Sequence, residues 1–236
     1  MKIAVFSDIH SNYEALAAVI DDINKNDFDK VYFLGDVLSK GPNPRECLDL
    51  VMNNNNINFV LGNHELYYLR GVEIDDNISD IEKEHQAWIK SNLNNFHREY
   101  LLNCNLEINE EFDGVKVSFK HFFQKDSNLD YPFCSIDILS TDEIKNIIDR
   151  EESDLIFIGH EHRIFEINFN NKKVVDVGSS GCTTNNKTHY FIVNICNGKY
   201  NIEKKEIFYN RERFEKVFLN SNYPEKDLIG DIFFGL

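Results

Sequence analysis

The sequence predicts an α/β protein built of two sheets packed face to face with helices outside. Two observations carry that expectation. Up to Leu61 the chain alternates apolar strand, polar loop and amphipathic helix, the pattern of a parallel sheet joined by right-handed helical crossovers. From Leu106 onward strands instead follow one another directly, joined by Asp-Gly, Asn-Asn and Asn-Gly turns, the pattern of antiparallel hairpins.

The elements follow in order. Lys2–Phe6 is a buried strand, and Asn12–Asn24 a helix with Ala15, Leu16, Val19, Ile20 and Ile23 on one face behind an Asn12 cap. Lys30–Leu34 is the second strand. Gly35–Pro44 is a loop leading into a helix, Pro44–Met52, because a proline in the first turn sacrifices no needed hydrogen bond. Ile57–Leu61 is a strand entering Gly62-Asn63-His64-Glu65. Asp80–Asn103 reads as two helices, the first through Ile81, His85, Trp88, Ile89 and Leu93, the second through Phe96, Tyr100 and Leu101. Leu106–Glu110 and Val115–Lys120 flank Asp113-Gly114. Thr141–Arg150 is helical, and Asp154–Ile158 is a buried strand. Ile164–Phe169 pairs with Lys172–Val177, and His189–Ile195 with Lys199–Ile207. Arg211–Leu219 closes as an amphipathic helix, while Pro224–Leu236 shows no clear period.

Composition bounds the function classes. Of 236 residues, 42% are hydrophobic and 28% charged, so the chain folds around a core. No linker or repeat divides it, and a single domain over residues 1–236 is expected, with the helical segment near 80–103 covering the site. Lys and Arg number 25 against 40 Asp and Glu, a balance of −15 that argues against a nucleic-acid partner. Five scattered cysteines form no C-x-x-C pair, and there is no signal-peptide core or membrane span, which places the protein in the reducing cytoplasm and off the membrane.

The strand ends carry the chemistry. Asp8 and His10 follow the first strand, Asp36 the second, Asn63 and His64 the third, His121 the strand ending at Lys120, and His160 and His162 the strand ending at Ile158. Loops at the ends of parallel strands line a common crevice, so these groups can converge. The oxygens of Asp8, Asp36 and Asn63 with the imidazoles of His10, His121, His160 and His162, and no thiol, suit divalent manganese, iron, nickel or zinc. Seven ligands exceed what one catalytic ion with an open position takes, and suit two ions sharing a carboxylate. Such a pair bridges and acidifies a water and clamps a phosphoryl group for in-line attack. It also removes the repulsion a −15 chain offers to phosphate.

The ordered blocks Asp8-Ile9-His10, Gly35-Asp36, Gly62-Asn63-His64-Glu65, His121 and Gly159-His160-Glu161-His162 resemble the calcineurin-like metallophosphoesterases. The segments SDIHSNYEALAAVI and GDVLSKGPNP, with the helical stretch around Trp88, look like the compact bacterial and archaeal phosphodiesterase branch, over residues 1–195. The resemblance implies a four-layer α/β/β/α sandwich of two mixed sheets. It implies that Asp8, His10 and His162 hold one ion, that Asn63, His121 and His160 hold the other, and that Asp36 bridges. His64 would contact the phosphate and protonate the departing oxygen, and Asn12 would touch substrate.

The activity so implied is hydrolysis of small phosphodiesters with two divalent ions, manganese first, on a small phosphorylated substrate. Diadenosine tetraphosphate is the alternative substrate, and a non-catalytic interaction module like the retromer subunit of this fold is the alternative class. A nuclease comes third. The blocks depart from the branch at Phe122, where glycine is usual, and at Glu161, where threonine is usual. Phe122 is expected to narrow the pocket, and Glu161 either to add negative charge beside the ions or to face solvent. Glu65 is read as packing against the site or favouring a helix start. His85, His97 and His189 are read as surface or structural side chains. Gly178-Ser179-Ser180-Gly181 offers backbone donors to phosphate or a tight connection, and Cys182 is read first as a small buried apolar residue, with approach to the site from its loop as the alternative.

Overall fold

The computed structural model describes residues 1–72, 79–124 and 134–236. Its first half contains β1 (Lys2–Phe6), α1 (Tyr13–Asn24), β2 (Lys30–Phe33), α2 (Pro44–Met52), β3 (Ile57–Phe59), α3 (Asn63–Arg70), α4 (Asp80–Asn92) and α5 (Asn95–Leu102). Then come β4 (Glu107–Phe112), β5 (Val115–Lys120), α6 (Thr141–Arg150), β6 (Leu155–Ile158), β7 (Ile164–Phe169), β8 (Lys172–Val177), β9 (Lys187–Cys196), β10 (Lys199–Phe208), α7 (Arg211–Asn220) and α8 (Lys226–Ile229).

The strands form two mixed five-stranded sheets, ordered β10-β9-β1-β2-β3 and β4-β5-β6-β8-β7. In the first, β1, β2 and β3 are parallel and β9 runs antiparallel to β1. In the second, β5, β6 and β8 are parallel, with β4 and β7 antiparallel at the edges. Alternate residues of one strand point to opposite faces, so Ile3 and Val5 of β1 face the second sheet while Ala4 and Phe6 face helices. The inter-sheet layer joins Ile3, Val5, Tyr32 and Val193 to Val117, Phe119, Phe157 and Val175, with Tyr32 and Phe119 stacked at 3.5 Å between ring centroids. α1 to α5 cover the outer face of the first sheet, and Ile147 and Ile148 of α6 cover Ile156, Ile158 and Val174 of the second. The four-layer α/β/β/α sandwich is therefore the observed architecture.

Several boundaries differ from expectation for local reasons. The first hairpin extends to Phe112 because Asp113 and Gly114 take φ of +50° and +83°, the two left-handed positions a two-residue turn requires, and leave Phe112 paired with Val115. β3 stops at Phe59, two residues short: Val60 N–H still donates to Phe33 O, but Val60 bridges Asn105 and Leu61 N–H donates to Asn105 O, outside the ladder with β2. α3 begins at the helix start that Glu65 offered: Gly62 caps it, and the Glu65 carboxylate returns to accept from the Gly62 N–H. The tail forms α8 and a π-helical turn, Gly230–Phe234, that packs Phe234 on Phe214 and Phe218 beside Ala15. Among the described residues no helix is long and apolar enough to cross a membrane.

Candidate metal centre

The carboxyl ends of β1, β2 and β3 lie beside those of β5, β6 and β8, and main-chain bonds weave their loops together. Asp8 N–H donates to Gly35 O, His10 N–H to Asp36 O and Gly159 N–H to His121 O. Across the sheets, Ser180 N–H donates to Ser7 O and Gly181 N–H to Asp8 O. The backbone is strained there. Asp8, His10, Asp36, His160 and His162 all hold positive φ, between +47° and +76°, a conformation non-glycine residues adopt at a cost of about 1–3 kcal/mol each. Such strain, concentrated on ligand-type side chains, marks a site held in place by its surroundings.

The structure brings all seven expected ligands together. His10 Nε2 lies 2.8 Å from His162 Nε2 and 3.5 Å from Asp8 Oδ1, and His162 Nε2 is 3.3 Å from the same oxygen. His121 Nε2 lies 3.2 Å from Asn63 Oδ1, which is 2.9 Å from His160 Nδ1. Asp36 Oδ2 stands between the two triads, 3.7 Å from His10 Nε2 and 3.2 Å from His121 Nε2. The outer ring nitrogens are tied to the fold: His10 Nδ1 donates to Leu38 O at 3.1 Å and His121 Nδ1 to Leu34 O at 2.7 Å. This fixes Nε2 of each ring toward the cluster, as ligand histidines require.

The electrostatics describe a centre made for cations. Burial raises Asp8, yet His121, His10 and His162 hold its carboxyl well below the usual range, and Asp36 is held low in the same way by His121 and His64. Burial pushes His10 and His160 down to about 3, so both are neutral. His121 rises to about 9 against its burial because Asp36 and Asp8 face it, and His162 to about 10 through Asp8 and Cys182. Protons on His121 and His162 thus balance the two aspartates, a charge that a cation bound there would supply instead. Two imidazole nitrogens 2.8 Å apart, with a carboxylate oxygen beside both, fit a cation between them.

His64 borders the cluster, with Nε2 3.9 Å from Asp36 Oδ2. Its Nδ1 is 3.1 Å from Glu82 Oε1, and its Nε2 is 2.8 Å from Lys40 Nζ. The tautomer satisfying both neighbours carries its hydrogen on Nδ1, donates to Glu82 and accepts from Lys40. Glu82 comes from α4, so the helical segment reaches the site, and Gln86 one turn on donates to Glu82 at 2.9 Å. Burial raises Glu82, but His64 and His85 bring its carboxyl down, which keeps it anionic. Phe233, from the C-terminal turn, stands 4.9 Å from Lys40 Nζ and 5.9 Å from the His162 ring centre. Lys40, Glu82 and Phe233 escaped sequence reasoning. Only Lys40 left a signal, as a basic residue four after Asp36 in the segment already singled out.

Other expectations shift. Asn12, expected at the substrate, is fully buried; its Oδ1 caps α1 by accepting from Ala15 N–H, and its Nδ2 donates to Gly181 O at 2.8 Å. Glu161 is half-buried, and its carboxylate accepts from Ser135 Oγ and Ile136 N–H. Glu65 is fully buried and clamps the Asp36 loop, accepting from the N–H groups of Asp36, Leu38 and Gly62. Phe122 is buried, edge-on to His121 and His160. His85, His97 and His189 are structural: His85 Nε2 donates to Pro224 O, His97 Nε2 to Asp49, and His189 Nε2 to Val177 O. The Ser180 and Gly181 N–H groups are spent on Ser7 and Asp8, not on a phosphate. Cys182 is half-buried, packed against the apolar cluster of Ala15, Phe214 and Phe234, and its Sγ also lies near His10 and His162. A cavity of about 620 Å³ between the β4–β5 hairpin and α6 includes none of the seven residues, and its Lys120 is held by Glu107 and Glu151.

Geometry and kinship agree. A family model described as the calcineurin-like phosphoesterase superfamily domain matches residues 1–198, and the chain belongs to that family. It is 37% identical over 161 residues to the uncharacterized protein MJ0912 of Methanocaldococcus jannaschii, covering 68% of this chain and 62% of that protein, so the match spans less than two thirds of the relative. A shorter match, 31% over 71 residues, covers 29% of this chain and 26% of a symmetrical bis(5'-nucleosyl)-tetraphosphatase of Haemophilus ducreyi. The fold is similar to that of the hypothetical protein PH1004 of Pyrococcus horikoshii OT3, at a TM-score of 0.81 and 18% identity, covering 100% of this chain and 98% of that one. It is also similar to a metallophosphoesterase of Sphaerobacter thermophilus, at 0.74 and 21%, with 100% of both chains covered.

Proposed function

We propose that this chain hydrolyses small phosphodiesters at a centre of two divalent ions, manganese first among iron, nickel and zinc, in the cytoplasm. The observation that carries the reading is Asp36, one carboxylate oxygen of which faces His10 of one triad at 3.7 Å and His121 of the other at 3.2 Å. Asp8, His10 and His162 hold one ion, Asn63, His121 and His160 the other, and Asp36 is shared. When bound, the ions neutralise the substrate's charge and acidify a water for attack on phosphorus.

The chain's own residues do the rest. His64 Nε2 faces the cluster, takes a proton from the Lys40 ammonium that donates to it at 2.8 Å and passes it to the departing oxygen, a contribution of about 10²- to 10⁴-fold for a well-placed acid. Glu82 holds the ring in the orientation that aims Nε2 at the cluster. The Lys40 ammonium, at the rim of a −15 chain, draws the anionic substrate in and then contacts it. Hydrolysis of diadenosine tetraphosphate is the second reading, favoured by the 71-residue match to the tetraphosphatase. Against a non-catalytic module stand the complete seven-residue set and the network around His64, which ion storage or docking does not need.

The test is turnover of manganese-reconstituted protein on bis-p-nitrophenyl phosphate, p-nitrophenyl phosphate, cyclic nucleotides and diadenosine tetraphosphate. The diester is expected to turn over fastest. A preference for diadenosine tetraphosphate would select the second reading, and no hydrolysis of any of the four with metal bound would select the module.

A further inference from the structure

One side chain at the cluster is outside the seven. The Sγ of Cys182, a nitrogen of His10 and a nitrogen of His162 all lie within 4.8 Å of one another. Cys182 is half-buried, on the loop that follows β8.

The loop that carries it is bound to the Asp8–His10 loop at every turn. Ser180 N–H donates to Ser7 O, Gly181 N–H to Asp8 O and Asn12 Nδ2 to Gly181 O. Ser179 Oγ donates to Asp8 O at 2.7 Å while accepting from Cys182 N–H at 2.8 Å, so one hydroxyl links the cysteine's backbone to the aspartate's. Gly181 sits so close that a Cβ there would fall 1.9 Å from Ile9 O. The thiol is therefore delivered to the His10–His162 side by the same framework that delivers Asp8.

A second, independent observation points to an ion at this spot. Asp8 is fully buried, and its Oδ1, which faces His10 and His162, has no hydrogen-bond partner among the described residues. Its near neighbours His162 Nε2, at 3.3 Å, and His10 Nε2, at 3.5 Å, leave that oxygen able to take a cation lying among the three.

We propose that Cys182 is a thiolate ligand of the ion held by Asp8, His10 and His162. On ligation the S–H bond gives way to a metal–sulfur bond, and one proton leaves to solvent; nothing is oxidised or reduced. This deepens the reading of a two-ion centre and rests on it. The consequence is that the two positions are unequal: one offers sulfur, nitrogen and oxygen, the other nitrogen and oxygen alone. Sulfur favours zinc or iron over manganese, so the Cys182 position selects the softer ion and the Asn63 position takes manganese.

The test is spectroscopic and needs no turnover. Wild-type protein, Cys182→Ser, Cys182→Ala and His121→Ala are loaded with cobalt(II). The visible bands report cobalt bound, and an intense near-ultraviolet sulfur-to-cobalt absorption reports the thiolate. The expected result is the near-ultraviolet band in wild type and in His121→Ala, and its loss in both Cys182 variants while visible bands remain. Zinc affinity in Cys182→Ser is expected to fall by more than the roughly 10- to 100-fold lost when a residue that merely hydrogen-bonds a ligand is changed, with little change for manganese. Visible bands without the sulfur band in wild type overturn the ligand and leave the centre standing, as does a sulfur band surviving in both Cys182 variants. No cobalt bound to wild type overturns the centre itself. Thermal unfolding of the two Cys182 variants close to that of wild type shows that their spectra report a folded chain.

Discussion

Replacing Gly181 with alanine tests whether the loop after β8 is welded to the loop after β1. The added Cβ would lie 1.9 Å from Ile9 O and 2.4 Å from Ile9 C, both backbone atoms that cannot rotate away. Ordinary contact begins near 3.4 Å, so one loop must retreat by about 1.5 Å. That carries the Gly181 N–H bond to Asp8 O, now 3.0 Å, and the Asn12 bond to Gly181 O, now 2.8 Å, beyond bonding range. Two buried hydrogen bonds at about 0.5–1.5 kcal/mol each, plus about 1–3 kcal/mol for overpacking, give roughly 4 kcal/mol. For a chain of this length that is a fall of about 8–16 °C in the unfolding midpoint, read by calorimetry on metal-loaded protein. Gly114→Ala is the control: its φ is +83° but nothing lies within 4 Å, so only the backbone cost of about 1 kcal/mol remains. A Gly181→Ala midpoint no lower than that of Gly114→Ala would refute the close-approach argument and, with it, the delivery of Asp8 and Cys182 by one framework.

Three further outcomes follow from the same geometry. His121→Ala and Asp36→Asn should lose turnover by at least about 100-fold while circular dichroism stays native, since each removes a ligand that positions an ion, and retained turnover in either speaks against the centre. His64→Ala and Glu82→Gln should lose about 10²- to 10⁴-fold on alkyl diesters and much less on p-nitrophenyl esters, whose leaving groups need no proton; equal losses on both would show that His64 is not the acid. Chelation should lower the unfolding midpoint relative to protein in manganese at 100 times its dissociation constant, because each such site contributes about 2.7 kcal/mol, and coincident melting curves would count against bound metal.

The fold was legible where a residue's neighbours in sequence determine its surroundings. Ile3 and Val5 alternate with Ala4 and Phe6 because both faces of β1 are buried, and Asp113-Gly114 and Asn197-Gly198 name their own turns through positive φ. Pro44 and Met52 bound α2 as expected. The seven ligand-type residues were legible because they follow the ends of five strands, β1, β2, β3, β5 and β6, and those strands align. What the sequence concealed is tertiary. Glu82 is distant from His64 in the chain and reaches it only because α4 packs there, and Phe233 arrives from a tail without periodicity. Glu65 offered a helix start, but nothing local to it set the length of α3 to Arg70. Asn12 and Glu161 sit beside motif residues, yet their polar atoms are consumed by Gly181 and Ala15 in one case and by Ser135 and Ile136 in the other.

Counting ions bound per chain tests the central claim most directly. Protein stripped by chelation, reloaded with manganese and freed of excess should hold two ions by elemental analysis, with fewer in Asp36→Asn, whose carboxylate both triads share. One ion or none in the wild type, or two retained at unchanged affinity when Asp36 is replaced, would contradict it.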